Sequence, residues 1–184
     1  VLKMDLSGHY YHLTNYTYLK NFFEAEQQSS PFNVLQVKAS KDFQLGRHWH
    51  LYTDVVVQKT AGNSPVNIPL LYTRNRLVFQ GRFFKNLVIA TGLDSRYYTA
   101  YTPDNYSPLT GQFFPQDSIR ISNKPDIAAF LHFRIRSFTS YVRLENLNTV
   151  DLNGFTFTKN NFAAPLYPYE GLIFRVGIFW NFVN

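Results

Sequence analysis

The C-terminal stretch, residues 172–182, is the sequence feature that most constrains the fold. Side chains of a β-strand alternate between its two faces, so an extended strand here has one wholly apolar face and one mixed face that carries Arg175 and Asn181. A tilted strand needs about 9 to 11 residues to cross a bilayer, whereas strands of soluble domains usually have about five or six. The stretch therefore favours a lipid-facing strand of a membrane barrel over a core strand of a soluble sheet. Its apolar face consists of Leu172, Phe174, Val176, Ile178, Trp180 and Phe182.

Composition agrees with strands and excludes several classes of function. The chain of 184 residues is 18% aromatic, with 13 Tyr and 18 Phe, which suits strands and the aromatic girdles of membrane barrels. No segment approaches the roughly 18 consecutive apolar residues of a transmembrane helix. The absence of cysteine excludes disulfides, thiolate catalysis and cysteine metal sites. The net charge of +6 is compatible with nucleic acid, an anionic membrane surface or an anion-selective pore.

The same alternation predicts seven more strands upstream. The first begins at Leu2 and runs on loosely to Tyr18, and the others cover residues 35–40, 49–58, 71–79, 87–96, 127–136 and 139–145. Tight returns are predicted at 41–46, at 80–82 and near Ser137. Longer polar or aromatic loops are predicted at 21–31, 60–65, 97–124 and 146–169.

Short and long connections thus alternate along the chain, as they do in outer-membrane barrels with short periplasmic turns and long extracellular loops. The pattern predicts an all-β fold, an antiparallel transmembrane β-barrel with about eight strands in this chain, organised as one domain over residues 1–184. Because Val1 lies inside an alternating run, we expect further residues upstream and a larger barrel.

Charged side chains fall on the face opposite the apolar stripes, which would face the lumen of a barrel. Asp54 belongs to this set. The candidate lumen-facing residues are Arg74, Arg76, Asp94, Arg96, His132, Arg134, Arg143, Glu145 and Arg175.

Six segments of the chain carry a family resemblance, namely Gly92–Tyr98, Ser107–Phe113, Pro125–Phe130, Val142–Asn148, Ala163–Pro168 and the final Phe174–Phe182. They resemble the putative porins of Bacteroidota outer membranes. The resemblance implies the C-terminal part of a longer barrel, a bacterial outer-membrane location and no catalytic residues, so no enzyme activity is expected.

A terminal amphipathic strand with an aromatic residue near its end is typical of outer-membrane barrels. We therefore expect an assembly signal recognised by the barrel-assembly machinery, with outer-membrane lipid and other outer-membrane subunits as further partners. This signal consists of Phe174, Val176, Ile178, Trp180 and Phe182.

Two rival hypotheses are weaker. His48 and His50 have a spacing that lets two imidazoles reach one metal ion, but a third ligand would have to come from distant His9 or His132, so no metal site and no cofactor are expected. A soluble basic protein that binds nucleic acid could use interleaved arginine and aromatic side chains. The candidates Arg134, Arg136, Tyr141 and Arg143 are scattered among acidic residues, so no nucleic-acid partner is expected.

The predicted function is passive diffusion of small solutes through an arginine-rich lumen. The tyrosine-rich loop containing Tyr97, Tyr98, Tyr101 and Tyr106 leaves a plugged scaffold barrel within a larger complex as the alternative.

Overall fold

The computed structural model describes residues 4–151, 156–158 and 160–182, and its regular structure is almost entirely β-strand. Within these ranges, no helix is long and apolar enough to cross a membrane. A short 3-10 helix covers Leu147–Thr149. The strands are β1 Met4–Leu13, β2 Tyr16–Lys20, β3 Glu24–Gln28, β4 Phe32–Gln44, β5 Trp49–Ala61, β6 Leu71–Phe83, β7 Leu87–Tyr98, β8 Asn105–Ser107, β9 Gln112–Phe114, β10 Asp126–Ile135, β11 Phe138–Glu145, β12 Val150–Asp151, β13 Thr156–Phe157, β14 Phe162–Ala164, β15 Tyr167–Pro168 and β16 Ile173–Trp180.

Eight long strands form one antiparallel sheet in the order β1-β4-β5-β6-β7-β10-β11-β16. Each strand pairs with the next long strand along the chain, which is the up-and-down connectivity of a barrel wall. β1 and β16 are the edges, and in the described part of the chain they do not pair with each other. The prediction of an all-β chain with a large antiparallel sheet is confirmed.

The connections alternate in length as predicted. Short turns at 45–48, 84–86 and 136–137 lie at one end of the sheet, here called the short-turn rim. The connections 14–31, 62–70 and 99–125, together with the described residues of the connection 146–172, lie at the other end. These four segments of sequence are called the long connections. The strands β4, β5 and β6 have 13 residues each, longer than the minimum for a tilted membrane-spanning strand of about 9 to 11.

The predicted course of the first strand is wrong beyond Leu13. Asn15 adopts a left-handed conformation with φ 52°, which ends the extended run. Tyr16–Lys20 then pairs with Glu24–Gln28 in a separate hairpin, so the segment 21–31 is not the irregular loop that was expected. The sequence analysis missed β3 because the strand is polar and shows no apolar alternation. A strand of a hairpin outside the main sheet does not need an apolar face.

Two predicted turns are displaced by a few residues. β4 continues through Lys41 and Asp42 to Gln44, and β6 continues through Gly81 to Phe83. Gly81 still pairs with Ile89, so this glycine lies within the β-ladder and not in a turn. Both strands gain length at the short-turn rim.

The long connections interlock into a cap. Ser107 Oγ donates a hydrogen bond of 2.5 Å to Phe22 O, and the Phe22 and Phe114 rings lie 4.8 Å apart. Asn67 Nδ2 donates to Gln116 O at 2.8 Å, which ties the second long connection to the third. Most of the buried apolar side chains, including Phe114, lie in or next to this cap, so the core of the chain sits beside the long connections and not on the apolar face of the sheet. The others there are Phe32, Ile121 and Ala164.

Candidate functional site on the charged face

One face of the sheet, here called the charged face, collects charged side chains from all eight long strands. Directly paired residues of neighbouring strands point to the same side, so the face can be followed across the sheet by register. One row runs from Asp54 through Arg74 and Arg96 to Asp126, and the next contains Arg76 paired with Asp94. The register places every one of the nine candidate lumen-facing residues on this face.

Five of these nine residues form a connected network of ion pairs. Asp94 receives a bidentate pair from Arg74, at 3.1 Å from Nε and 2.7 Å from Nη2, and Arg143 Nη2 lies 3.7 Å from the same carboxylate. Glu145 accepts from Arg143 Nε at 2.8 Å and, on its other oxygen, from Arg175 Nε at 3.0 Å. The network therefore connects β6, β7, β11 and β16.

The Asp94 carboxylate is the most buried part of this network, with its side chain 2% exposed, whereas the Arg175 side chain is 57% exposed. A buried carboxylate needs several donors, because desolvation penalises an unpaired charge. Arg74 provides two donors from β6, and Arg143 adds a second positive charge from β11. Arg143 and Arg175 are directly opposite in register, and like charges in that position repel. Glu145 offsets this repulsion because it accepts a hydrogen bond from each of the two arginines.

A small side chain on β10 allows Arg143 to reach Asp94. Strand β10 lies between β7 and β11, and its Ala128 is directly opposite Asp94. Ala128 is 6% exposed and projects only a methyl group, so the Arg143 side chain can extend over the strand to β7. Ala128 is a residue that sequence reasoning missed, because its importance depends on which residue lies opposite it.

The other four candidates do not join the network. Arg76 lies over the Tyr52 ring, with its guanidinium carbon 4.9 Å from the ring centroid. The His132 ring lies 5.4 Å from the Phe130 ring and 5.8 Å from the Tyr141 ring. Arg96 and Arg134 are exposed and, among the described residues, make no ion pair within 4.0 Å.

Carboxylates on the first strands of the sheet were missed as members of this face. Asp5 pairs with Ser40, which pairs with Asp54, and Ser40 Oγ donates to Asp54 at 2.6 Å. Asp42 belongs to the same face and lies 3.3 Å from His50 Nδ1. Asp42 was missed because it was assigned to a turn. Asp5 alternates with the apolar residues Met4 and Leu6, so the period-two pattern could have assigned it to the charged face.

The histidine pair considered for a metal makes contacts with other groups. His48 Nδ1 lies 3.0 Å from Gln80 O, and His50 Nδ1 faces Asp42. In the described part of the chain, no three histidine, aspartate or glutamate side chains are grouped so that they could hold a metal ion.

The opposite face, here called the apolar face, presents large side chains to the surroundings. Leu35 and Val37 of β4 are about half exposed, and so is Val176 of β16. One row pairs apolar residues across seven strands. It consists of Phe43, Leu51, Leu77, Leu93, Ala129, Leu144 and Phe174.

The residues of the predicted assembly signal lie on this apolar face of the edge strand or just beyond it. Phe174 is 63% exposed, Ile178 67% and Trp180 55%. Val176 pairs with Val142, and Phe182 follows the strand with its ring 4.9 Å from Trp180. They form an exposed apolar stripe on β16, and recognition by an assembly machinery stays a prediction.

Comparison with known proteins identifies the family. The model of the family described as "Putative porin" matches residues 1–184, which is the whole chain. The chain belongs to this porin family. Family membership indicates a porin-like protein of the outer membrane, with a transport or structural role and not an enzymatic one. No curated protein and no solved structure matches the chain.

Proposed function

We propose that this porin family member forms part of the wall of a bacterial outer-membrane barrel through which small solutes diffuse passively. The charged face lines an arginine-rich lumen and the apolar face contacts lipid. The exposed stripe on β16 is recognised during barrel assembly. No catalytic step is involved.

The ion-pair network is the observation that carries the proposal. Asp94 and Glu145 hold three arginines from three strands in fixed positions on one face. Such a network needs water nearby to hydrate its exposed edges, such as Arg175, because a partly unpaired charge is costly in hydrocarbon. The network therefore supports an aqueous lumen on the side of the wall opposite the apolar stripe.

The apolar face supports the same assignment through its dimensions. On β7 it runs from Leu87 near the short-turn rim to Tyr97 near the long connections. At about 3.4 Å per residue and a tilt of about 40°, this interval rises about 26 Å, close to the apolar band of about 25 Å in outer-membrane barrels.

A plugged scaffold barrel is the second candidate, and the cap formed by the long connections favours it. Ser107 and Phe114 of the third connection contact Phe22 of the first, and the Tyr106 and Tyr167 rings of the third and fourth connections lie 5.4 Å apart. A cap of this kind could close the lumen.

Recording of the full-length protein in planar bilayers separates the two candidates. Stepwise conductance is expected from the wild-type protein if the lumen is open. If the wild-type protein is silent but a double variant, Phe22→Ala with Ser107→Ala, conducts, the cap closes the lumen and the scaffold function is correct. Silence of both would contradict the diffusion channel.

A further inference from the structure

The short-turn rim is uniformly basic. Each of its three turns carries one exposed cationic side chain and no acidic one, namely Arg47, Lys85 and Arg136. Two more exposed arginines, Arg82 and Arg134, lie within two residues of these turns, at the ends of their strands. Asp42 is the nearest carboxylate in the sequence and lies inside β4.

The long connections have the opposite balance. Their sequences contain more acidic than basic residues, so the charge difference between the two ends of the sheet is not a consequence of the general positive charge of the chain. The acidic residues are Glu24, Glu26, Asp104, Asp117, Asp151 and Glu170, and the basic ones are Lys20, Arg120, Lys124 and Lys159.

A row of large apolar side chains follows the same rim on the apolar face. Phe83, Leu87, Ile135, Phe138 and Trp180 are paired in sequence across β6, β7, β10, β11 and β16. Aromatic girdles in membrane barrels lie at the boundary between hydrocarbon and headgroups. The adjoining turns then extend to the level of the headgroup phosphates.

Two further side chains are directed to this boundary. Lys41 belongs to the apolar face of β4, and its ammonium lies 4.7 Å from the centroid of the Phe43 ring, towards the short-turn rim. A lysine on a lipid-facing strand extends in this way to bring its charge to the interface. Phe84 at a turn is 92% exposed and has φ 54°, a conformation that bulky residues rarely adopt.

We propose that the short-turn rim binds anionic phospholipid headgroups, with Arg47, Lys85 and Arg136 contacting the phosphates and Phe84 entering the interfacial layer of the same leaflet. The proposal rests on the proposed membrane barrel but not on an open lumen. Charge complementarity selects an anionic lipid, because each basic side chain near an anionic surface strengthens the interaction by roughly fivefold. The apolar girdle directly beside the turns favours a lipid surface over an acidic protein.

The two tryptophans of the chain allow a direct test. Trp49 begins β5 beside the turn 45–48, and Trp180 ends β16, so both report on lipid at this rim. The full-length protein is reconstituted in vesicles in which either phosphatidylglycerol or phosphatidylcholine carries brominated chains. We expect brominated phosphatidylglycerol to quench tryptophan fluorescence more strongly at equal mole fraction, and the difference to shrink at high salt.

Two matched triple variants test whether the preference for phosphatidylglycerol comes from the short-turn rim. Arg47→Gln with Lys85→Gln and Arg136→Gln should lower the phosphatidylglycerol preference at least tenfold. The control variant removes the same amount of charge from the long connections, through Lys20→Gln, Arg120→Gln and Lys124→Gln. This control should retain the preference for phosphatidylglycerol. Equal quenching by both lipids in the wild-type protein, or an equal loss in the two triple variants, would overturn the proposal.

The position of Phe84 is tested separately. In a Trp49→Phe, Trp180→Phe background of the chain, Phe84→Trp should be quenched by bromine near the glycerol and shielded from aqueous iodide. A tryptophan at 84 that only iodide quenches would refute insertion of this turn. Protein that does not enter vesicles at all would instead contradict the membrane barrel itself.

Discussion

At the scale of single residues, Asp94 is the one charged residue that is buried among the described residues. Its side chain is almost fully buried, and two guanidinium groups depend on it. Removal of one partner from a fully buried ion pair costs about 3 to 5 kcal/mol. The Arg74 side chain is 42% exposed, so water can replace part of the lost interaction.

We therefore expect Asp94→Ala to lower the free energy of unfolding by about 2 kcal/mol, as measured by urea titration in lipid vesicles. Arg175→Ala is the control, because its ion pair is exposed and should contribute about 1 kcal/mol or less. Equal effects of the two substitutions would show that burial of Asp94 does not determine its contribution.

Two glycines on the charged face, Gly92 of β7 and Gly177 of β16, make a second residue-scale test. A Cβ on Gly92 would lie 1.9 Å from the backbone oxygen of Leu77, whereas a Cβ on Gly177 would meet the Tyr141 ring at 2.0 Å. A ring can rotate away, but a paired backbone cannot move without breaking the β6–β7 ladder.

Gly92→Ala should therefore destabilise the protein by more than 2 kcal/mol, at the severe end of single substitutions, and Gly177→Ala by about 1 kcal/mol or less. Urea titration of both variants measures the difference. If Gly177→Ala with Tyr141→Ala recovers wild-type stability while Gly92→Ala stays unstable, the ring is confirmed as the obstacle at Gly177. A harmless Gly92→Ala would contradict the close approach of the two strands.

At the scale of strands, the period-two pattern predicted faces well and register poorly. The alternation of Arg74 and Arg76 with Thr73 and Asn75 is a local property of β6 and can be read from one strand. The contact of Arg143 with Asp94 over Ala128 depends on three strands and on where each one ends. Because β4 and β6 extend beyond their predicted turns, no pairing across them could be derived from the sequence.

The apolar face of β16 can be tested with a charge. Val176 lies four residues from Trp180, about 10 Å from the interface at a tilt of about 40°. Val176→Arg should cost about 2 to 4 kcal/mol if lipid surrounds it. Phe179→Arg, on the charged face of the same strand, should cost less. Folding yields and urea titrations in vesicles measure both, and a larger effect at Phe179 would reverse the assignment of the two faces.

The third long connection carries a pH-sensitive element. Burial raises the pKa of the Asp104 carboxyl above its usual range, and the hydrogen bond with the Asn67 side chain opposes this rise. One carboxylate oxygen of Asp104 is buried without a hydrogen-bond partner in the described part of the chain. The folded connection thus binds the proton more tightly than the unfolded chain does. Its stability is greatest below the ordinary carboxyl pKa and falls as the pH rises through the raised pKa.

We expect amide hydrogen exchange in residues 99–125, corrected for intrinsic rates, to accelerate as the pH rises through this range. Asp104→Asn resembles the protonated carboxyl and should slow the exchange at neutral pH and remove the pH dependence. Asp117→Asn makes the same charge change at an exposed position and should have no effect. A pH dependence that persists in Asp104→Asn would exclude this carboxyl as its origin.

At the scale of the whole molecule, the charged face is less one-sided than its arginines suggest. Carboxylates that the sequence analysis did not assign to this face, such as Asp5, Asp42 and Asp126, offset part of its positive charge. The basic residues of the face are Lys38, Arg74, Arg76, Arg82, Arg96, Arg134, Arg143 and Arg175, and the acidic ones are Asp5, Asp42, Asp54, Asp94, Asp126 and Glu145.

The balance of the two signs changes along the wall. On β1, β4 and β5 this face carries Asp5, Asp42 and Asp54 against one lysine, so that sector is acidic on balance. All seven arginines lie on β6 to β16, where they outnumber the three remaining carboxylates. A solute that crosses the lumen would therefore meet an acidic sector and a basic sector side by side. In a narrow lumen with low-dielectric walls, such sectors act over the whole cross-section, so their sum sets the ion preference.

This sum can be shifted in either direction. Replacement of Asp5, Asp42 and Asp54 by Asn should move the reversal potential in a salt gradient towards anion selectivity. Replacement of Arg82, Arg96 and Arg134 by Gln should move it towards cation selectivity, and these three make no ion pair among the described residues, so folding should be little affected. Both shifts should weaken above about 1 M salt, where the screening length falls to about 3 Å. Shifts in the same direction from the two variants would show that the charged face does not line the conducting path.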